Sequence, residues 1–208
     1  MSRQKDTAED NRPLTVYYPD DNDNMKDLIS FVNSRNAAWL RYKLTFVPIS
    51  AGFELNLANN TFVRAFSMEH QKRKSTLGYV IYENRTRLKP EFRGQDIPAL
   101  IRSGVSRDNL NEVYRANLFA YCLDAYDITD GAKQIQDCQH AIMDTTFIKK
   151  EDRTDDTHFS LDEALYFCKN AGIKNVYGAH LSSRYNFNEV VKDRPDVKFV
   201  SPYMVNYL

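Results

Sequence analysis

The stretch that most restricts the fold lies in the last third. "SLDEALYFCKNAG" opens on Ser160, places Glu163 three positions on, and sets Leu161, Ala164, Leu165 and Cys168 along one helical face. A Ser-x-x-Glu box starts a helix because each side chain satisfies an amide that has no partner inside it. Gly172 supplies the left-handed residue that ends one. The run "IKNVYGAH" after it is short and apolar, hence a strand, and "HAIMD" (140–144) before it reads the same way. Strand, helix, strand implies a right-handed crossover and parallel pairing. This predicts an α/β architecture with ligands gathered at the carboxyl ends of strands. Asp124, Asp144 and His180 stand at three such ends, after "LFAYCL", "HAIM" and "NVYGA".

Upstream, "LTVYY" (14–18) predicts a strand closed by Pro19. Met25, Leu28, Ile29 and Val32 recur at i, i+3, i+4, i+7 behind Asp23 and Asn24, the spacing of an amphipathic helix. Its "LISFV" is expected in the core, with Trp39 packing at an edge. "YKLTFVPI" (42–49), "FELNL" (53–57), "TFVRAFSM" (61–68) and "LGYVIYE" (77–83) predict a meander of antiparallel strands, with Asn59 and Asn60 as turn residues. From Asn84 to Asn117 the chain reads as basic and irregular, with one helix capped by Asp96 and closed by Gly104. Residues 1–12 lack periodicity and are expected to form a tail before one domain over 13–208.

Composition narrows the function classes. With 42% hydrophobic residues in 208, one domain can bury a sizeable core. The 28 basic and 28 acidic residues cancel, so no whole-chain field draws the protein to nucleic acid or membrane. Locally, Arg64 to Asp108 holds 10 basic against 5 acidic residues, a net of +5, and Met1 to Ser30 holds 4 against 7, a net of −3. Three cysteines without C-x-x-C spacing argue against a disulfide framework and fit a reducing, cytoplasmic compartment. No stretch approaches the roughly 18 apolar residues of a membrane helix, and no membrane association is expected.

Two more histidines, His70 and His158, fall in predicted loops, whereas His140 lies inside a strand and is read as packing. Imidazole and carboxylate without thiolate is the donor set of a catalytic zinc or manganese site rather than a structural one. The blocks "FVRAFSMEHQKRKSTLGYVIYENRTRLKPEFRG", "LFAYCLDA", "AIMDTTF", "THFSLDEAL" and "NVYGAHLSSRY" occur in order. Together, from about Pro13 to Tyr185, they resemble the ribonuclease Z group of the metallo-β-lactamase superfamily. The resemblance implies an αββα sandwich, truncated here on its amino-terminal side. It implies that His70 binds one metal ion, that His180 binds a second and that Asp124 bridges the two. His158 is then the proton donor to the leaving oxygen and Asp144 the residue that orients it. Zinc is the implied metal, two ions when the ligand shell is complete, with manganese as the other candidate.

Two departures qualify that pattern. Asp124 stands in "LDA" where the group has Gly-Asp-Thr, and Asp144 stands where it has glutamate; both keep a carboxylate. The group's H-x-H-x-D-H motif is missing altogether, since no histidine precedes His70. One private ligand per ion plus a bridge falls short of the four or so that zinc takes. The missing strands would also leave sheet edges and apolar faces uncovered. A partner is therefore expected, either a chain carrying H-x-H-x-D-H or a second copy of this one. The expected substrate is RNA or a nucleotide phosphodiester. Arg184 and Ser182 are candidates to hold its phosphate, and Lys72, Arg73 and Lys74 to contact a nucleic-acid backbone. Three functions stay open: a tRNA 3′-end-processing endoribonuclease of ribonuclease Z type, a cyclic-nucleotide phosphodiesterase, and an inactive binding subunit.

Overall fold

Alternation along the strands sorts their side chains onto two faces of one sheet. The computed structural model describes residues 12–36, 40, 42–71, 74–153 and 156–200. The sheet has seven strands in chain order: β3 (Glu54–Ala58), β4 (Thr61–Gln71), β5 (Lys74–Leu88), β6 (Asn111–Cys122), β7 (His140–Asp144), β8 (Asn175–Ala179) and β9 (Lys198–Phe199). The first four pair antiparallel and the last four parallel, so β6 belongs to both halves. The crossover from β7 to β8 passes through α4 (Leu161–Asn170). Its capping box is formed by Ser160 and Glu163, and Gly172 beyond its end has φ of 70°.

One face of this sheet is the core. Val80, Ala120, Cys122, Ala141 and Met143 alternate inward along β5, β6 and β7 and meet Ala164 and Cys168 of α4. The opposite face is covered over part of its width. A two-stranded parallel sheet, β1 (Leu14–Pro19) and β2 (Leu44–Ile49), packs Tyr17, Val47 and Ile49 onto Ala65, Leu77 and Tyr79 of β4 and β5. Farther along the same face the cross-strand row Tyr121, Ile142, Tyr177 is only half-buried, and Tyr121 keeps 42% of its surface. Fully burying such a side chain contributes about 1.5–3 kcal/mol, much of which is unrealised in this row.

Three expectations are corrected. "YKLTFVPI" does not join the meander; β2 pairs parallel with β1 in the second layer, because α1 (Asp23–Phe31) carries the chain back between them. The stretch 84–117 is not irregular at its ends. β5 continues to Leu88 and β6 starts at Asn111, with short helices α2 (Ile97–Arg102) and α3 (Arg107–Leu110) between them. These outer strand segments are wet and charged, so they lack the apolar alternation that marks a half-buried strand. Arg87 pairs with Glu112 across them. Finally, "LISFV" is not core: α1 buries none of its residues, and Leu28 and Phe31 are 48% and 57% exposed. Trp39 lies outside the described residues.

Candidate metal centre

Asp144 closes β7 and is completely buried, a costly place for a carboxylate unless its lone pairs are used. All are used. Oδ1 accepts from the Thr146 amide (2.9 Å) and the Thr146 hydroxyl (2.7 Å); Oδ2 accepts from the Ala125 amide (3.1 Å) and from His158 Nδ1 (2.6 Å). A carboxylate offers about four acceptor positions, so Asp144 is filled as a holder of its neighbours. The chain turns sharply to allow this: Asp124, just beyond β6, has φ of 53°, which swings the next amide onto Asp144. His180, just beyond β8, has φ of 64°. Such backbone costs a non-glycine residue about 1–2 kcal/mol, and it is tolerated where the surroundings enforce it.

The hydrogen bonds fix the face each imidazole presents. Thr146 Oγ1 gives its proton to Asp144, so toward His180 Nδ1 (2.8 Å) it acts as acceptor and Nδ1 carries the hydrogen. His70 Nδ1 donates to the Thr157 carbonyl (2.8 Å), and His158 Nδ1 donates to Asp144. Each of the three rings therefore has Nδ1 held by an oxygen and Nε2 left to face elsewhere, the arrangement in which a neighbouring acceptor orients a metal-binding or proton-transferring histidine. The rings are close: His70 to His158 4.7 Å and His158 to His180 5.0 Å between centroids. His180 Nε2 stands 3.4 Å from Asp124 Oδ1. Asp124, Asp144, His158 and His180 each offer a donor atom within 4.8 Å of the others.

Of the residues singled out from the sequence, Asp124, Asp144, His158 and His180 come together; His70, carried by the end of β4 rather than by a loop, packs against the His158 ring and is not one of the four whose donor atoms converge. His180 and Asp124 are about half exposed, and His158 is mostly covered, with Phe147 edge-on to its ring. Arg184 sits next to this group, its guanidinium 5.1 Å from the centre of the Phe147 ring and bonded to the Asp152 carbonyl (3.1 Å). Ser182 Oγ accepts from the Arg184 amide (3.4 Å), and the Ser182 amide bonds to the Thr146 carbonyl (3.0 Å). Tyr185 anchors the same loop through Asp152 (2.7 Å); burial first, then that bond, raises its phenol pKa. His140 lies at the other end of β7, half-buried, 3.4 Å from the Tyr177 hydroxyl. Lys72 and Arg73 lie outside the described residues, as does the side chain of Lys74. Thr146 and the Thr157 carbonyl were not anticipated. A threonine two residues after a strand-end aspartate, in "MDTTF", is the signal that could have pointed to the first.

No family model matches the chain. Ribonuclease Z of Streptomyces coelicolor is 23% identical over 187 residues, covering 83% of this chain and 60% of that protein. Human tRNase Z, short form, superposes with a TM-score of 0.59 at 14% identity over 92% of this chain and 66% of its own. A diphosphatase of the PhnP family gives 0.56 at 12% identity over 91% and 56%. The fold is that of the metallo-β-lactamase proteins, with the donor cluster at the carboxyl ends of its parallel strands. Within that fold the chain is similar in sequence to ribonuclease Z. It spans about 60% of the length of the curated relative it matches.

Proposed function

We propose that this chain is the carboxyl-terminal part of a metal-dependent phosphodiesterase of ribonuclease Z type, completed by ligands from outside its 208 residues. The observation that carries this reading is the convergence of donor atoms from Asp124, Asp144, His158 and His180, beside three imidazoles, those of His70, His158 and His180, each held through Nδ1 by an oxygen. His70, Asp124 and His180 would hold two divalent cations, zinc by preference and manganese next, since the donors are nitrogen and oxygen without thiolate. Bound there, the cations would supply Lewis-acid activation of water and of a phosphoryl oxygen. The protein's own groups do the rest. Asp144 fixes His158 so that only Nε2 can pass a proton to a departing ribose oxygen. Arg184, whose guanidinium fits a phosphate bidentately, steadies the substrate with Ser182.

Completion from outside is supported by the exposure of Asp124 and His180, by the half-covered row Tyr121, Ile142, Tyr177, and by the uncovered face of α1. A polypeptide carrying H-x-H-x-D-H would supply both ligands and cover; a second copy of this chain would supply cover alone. Titration of the purified chain with zinc tests the reading. Expected is weak binding that His70→Ala or His180→Ala each lowers at least tenfold, and hydrolysis of a 3′-extended tRNA precursor only when the motif-bearing polypeptide is added. Cyclic mononucleotides run in parallel identify the smaller-substrate alternative. Zinc binding indifferent to both alanine variants would overturn the assignment. Two tightly held ions per chain would show that no outside ligand is needed. No helix among the described residues is long and apolar enough to cross a membrane.

A further inference from the structure

Arg184 and Asp152 touch without forming an ion pair. The guanidinium donates through Nη1 to the Asp152 carbonyl (3.1 Å), while the Asp152 carboxylate accepts from the Tyr185 hydroxyl (2.7 Å). Arg184 is exposed, and among the described residues it meets no carboxylate and makes no other side-chain hydrogen bond. The rest of its fork is left to an acceptor from outside. Phe147, the ring 5.1 Å from its central carbon, also meets the His158 ring edge-on. One side chain thus separates this cation from the donor cluster.

Arg184 sits in a turn that is tied at both ends. The turn runs from Ser182 to Tyr185, whose amide donates to the Ser182 carbonyl (3.1 Å). Its start is fixed by the Ser182 amide on the Thr146 carbonyl (3.0 Å). Its end is fixed by Tyr185, whose ring packs in an apolar cluster with Leu161, Val190 and Phe199. The Tyr185 hydroxyl leaves that cluster for the segment after β7, where it also accepts from the Ile148 amide (3.4 Å). The clasp therefore joins the segment that carries Asp144, Thr146 and His158 to the one that carries His180 and Arg184. An arginine on an exposed turn ordinarily samples many rotamers, and ordering it on binding weakens affinity roughly 2- to 12-fold. Here much of that ordering is done beforehand.

We propose that Asp152 and Tyr185 are positioning residues, which aim Arg184 at a phosphate of the substrate while leaving its charge uncommitted. This rests on the reading of the cluster as a phosphodiester-cleaving site. A carboxylate bonded directly to the guanidinium would hold it equally well but would compete with the phosphate for the same fork. Engaging that carboxylate with a phenol and offering only a carbonyl to Arg184 separates the two effects. Neither Asp152 nor Tyr185 touches the substrate; both act through Arg184.

The test is titration of the full 208-residue chain with inorganic phosphate in EDTA, which removes metal from the result. Phosphorus NMR line broadening reads binding, and the Nε–H and Nη resonances of Arg184 read its mobility. Expected is binding that Arg184→Met abolishes and that Tyr185→Phe weakens roughly 2- to 12-fold, with faster rotation of the Arg184 guanidinium. Asp152→Asn and Asp152→Ala remove the same charge, but asparagine keeps an acceptor for the phenol. Asp152→Asn should bind phosphate at least as tightly as the parent, and Asp152→Ala as weakly as Tyr185→Phe. Combining Asp152→Ala with Tyr185→Phe should cost no more than either alone, since both break one clasp. The proposal is overturned if the parent binds no phosphate, if binding ignores Arg184→Met, if Tyr185→Phe binds as the parent does, or if the Asn and Ala variants bind alike. Zinc titration stays a separate measurement. Clasp-dependent phosphate binding in a chain that takes up no zinc would sink the metal reading and leave the positioning role standing; zinc binding with clasp-independent phosphate binding would do the reverse.

Discussion

Replacing Thr146 with valine tests whether the donor cluster is oriented from behind. Valine keeps the shape and removes one hydroxyl, which now gives its proton to Asp144 and takes one from His180. A hydrogen bond to a charged group contributes about 1.5–3 kcal/mol. The low end applies here, because the Thr146 amide stays on the same carboxylate oxygen and the half-exposed His180 can turn to water. The expected loss of stability is about 1.5–2 kcal/mol in urea unfolding. The more telling effect is on metal: with Nδ1 unheld, His180 loses its fixed tautomer and direction, and loss of such a partner typically lowers affinity about 10–100-fold. Zinc titration against a chromophoric chelator reads this directly, and Thr146→Ser should restore most of it. If Thr146→Val lost stability yet bound zinc as the parent does, the hydroxyl would be a packing element and the tautomer argument would fail.

Three other expectations concern the body of the fold. Gly78→Ala places a Cβ 2.4 Å from the buried Phe66 ring and 2.7 Å from the buried Met68 sulfur; a loss of about 1–3 kcal/mol should appear in thermal or urea unfolding. Glu163 is raised by burial, but the Ser160 hydroxyl and amide, Lys150 and Arg153 outweigh that and leave its pKa lowered from 4.5. A depressed carboxylate stabilises the fold above its unfolded pKa and stops doing so as pH falls through the folded one. The stability gap between the parent and Glu163→Gln should therefore be full at neutral pH and shrink below about pH 4. Burial raises the pKa of all three cysteines, that of Cys168 to about 12. Ellman's reagent at pH 8 should label none of them in the native protein and all three in guanidinium.

What the sequence disclosed and what it hid divide along a physical line. The α4 box, the parallel pair it joins and the tight turns were legible because each rests on contacts within a few residues. The donors His70, Asp124 and His180 could be named as candidates from residue type and place at strand ends, but not their tautomers, which depend on oxygens of Thr146 and Thr157 contributed by other segments. The outer halves of β5 and β6 were invisible because residues 84–87 are exposed on both faces and 111–118 are almost all half-buried, so neither carries an alternating pattern. The helix α1 misled in the opposite sense: its apolar spacing is real, yet burial requires a surface opposite, and among the described residues none closes over Leu28 and Phe31.

The left-handed backbone at positions 124 and 180 narrows what these sites can become. Asparagine and glycine settle into that conformation with least difficulty, whereas valine, isoleucine or threonine would fight it. A lineage of this chain that abandons its chemistry should thus show Asn or Gly at 180 before any branched residue, while Asn at 124 would preserve the bend and discard the charge. Sequences of descendants would record the loss of function as a change in side chain over an unaltered loop.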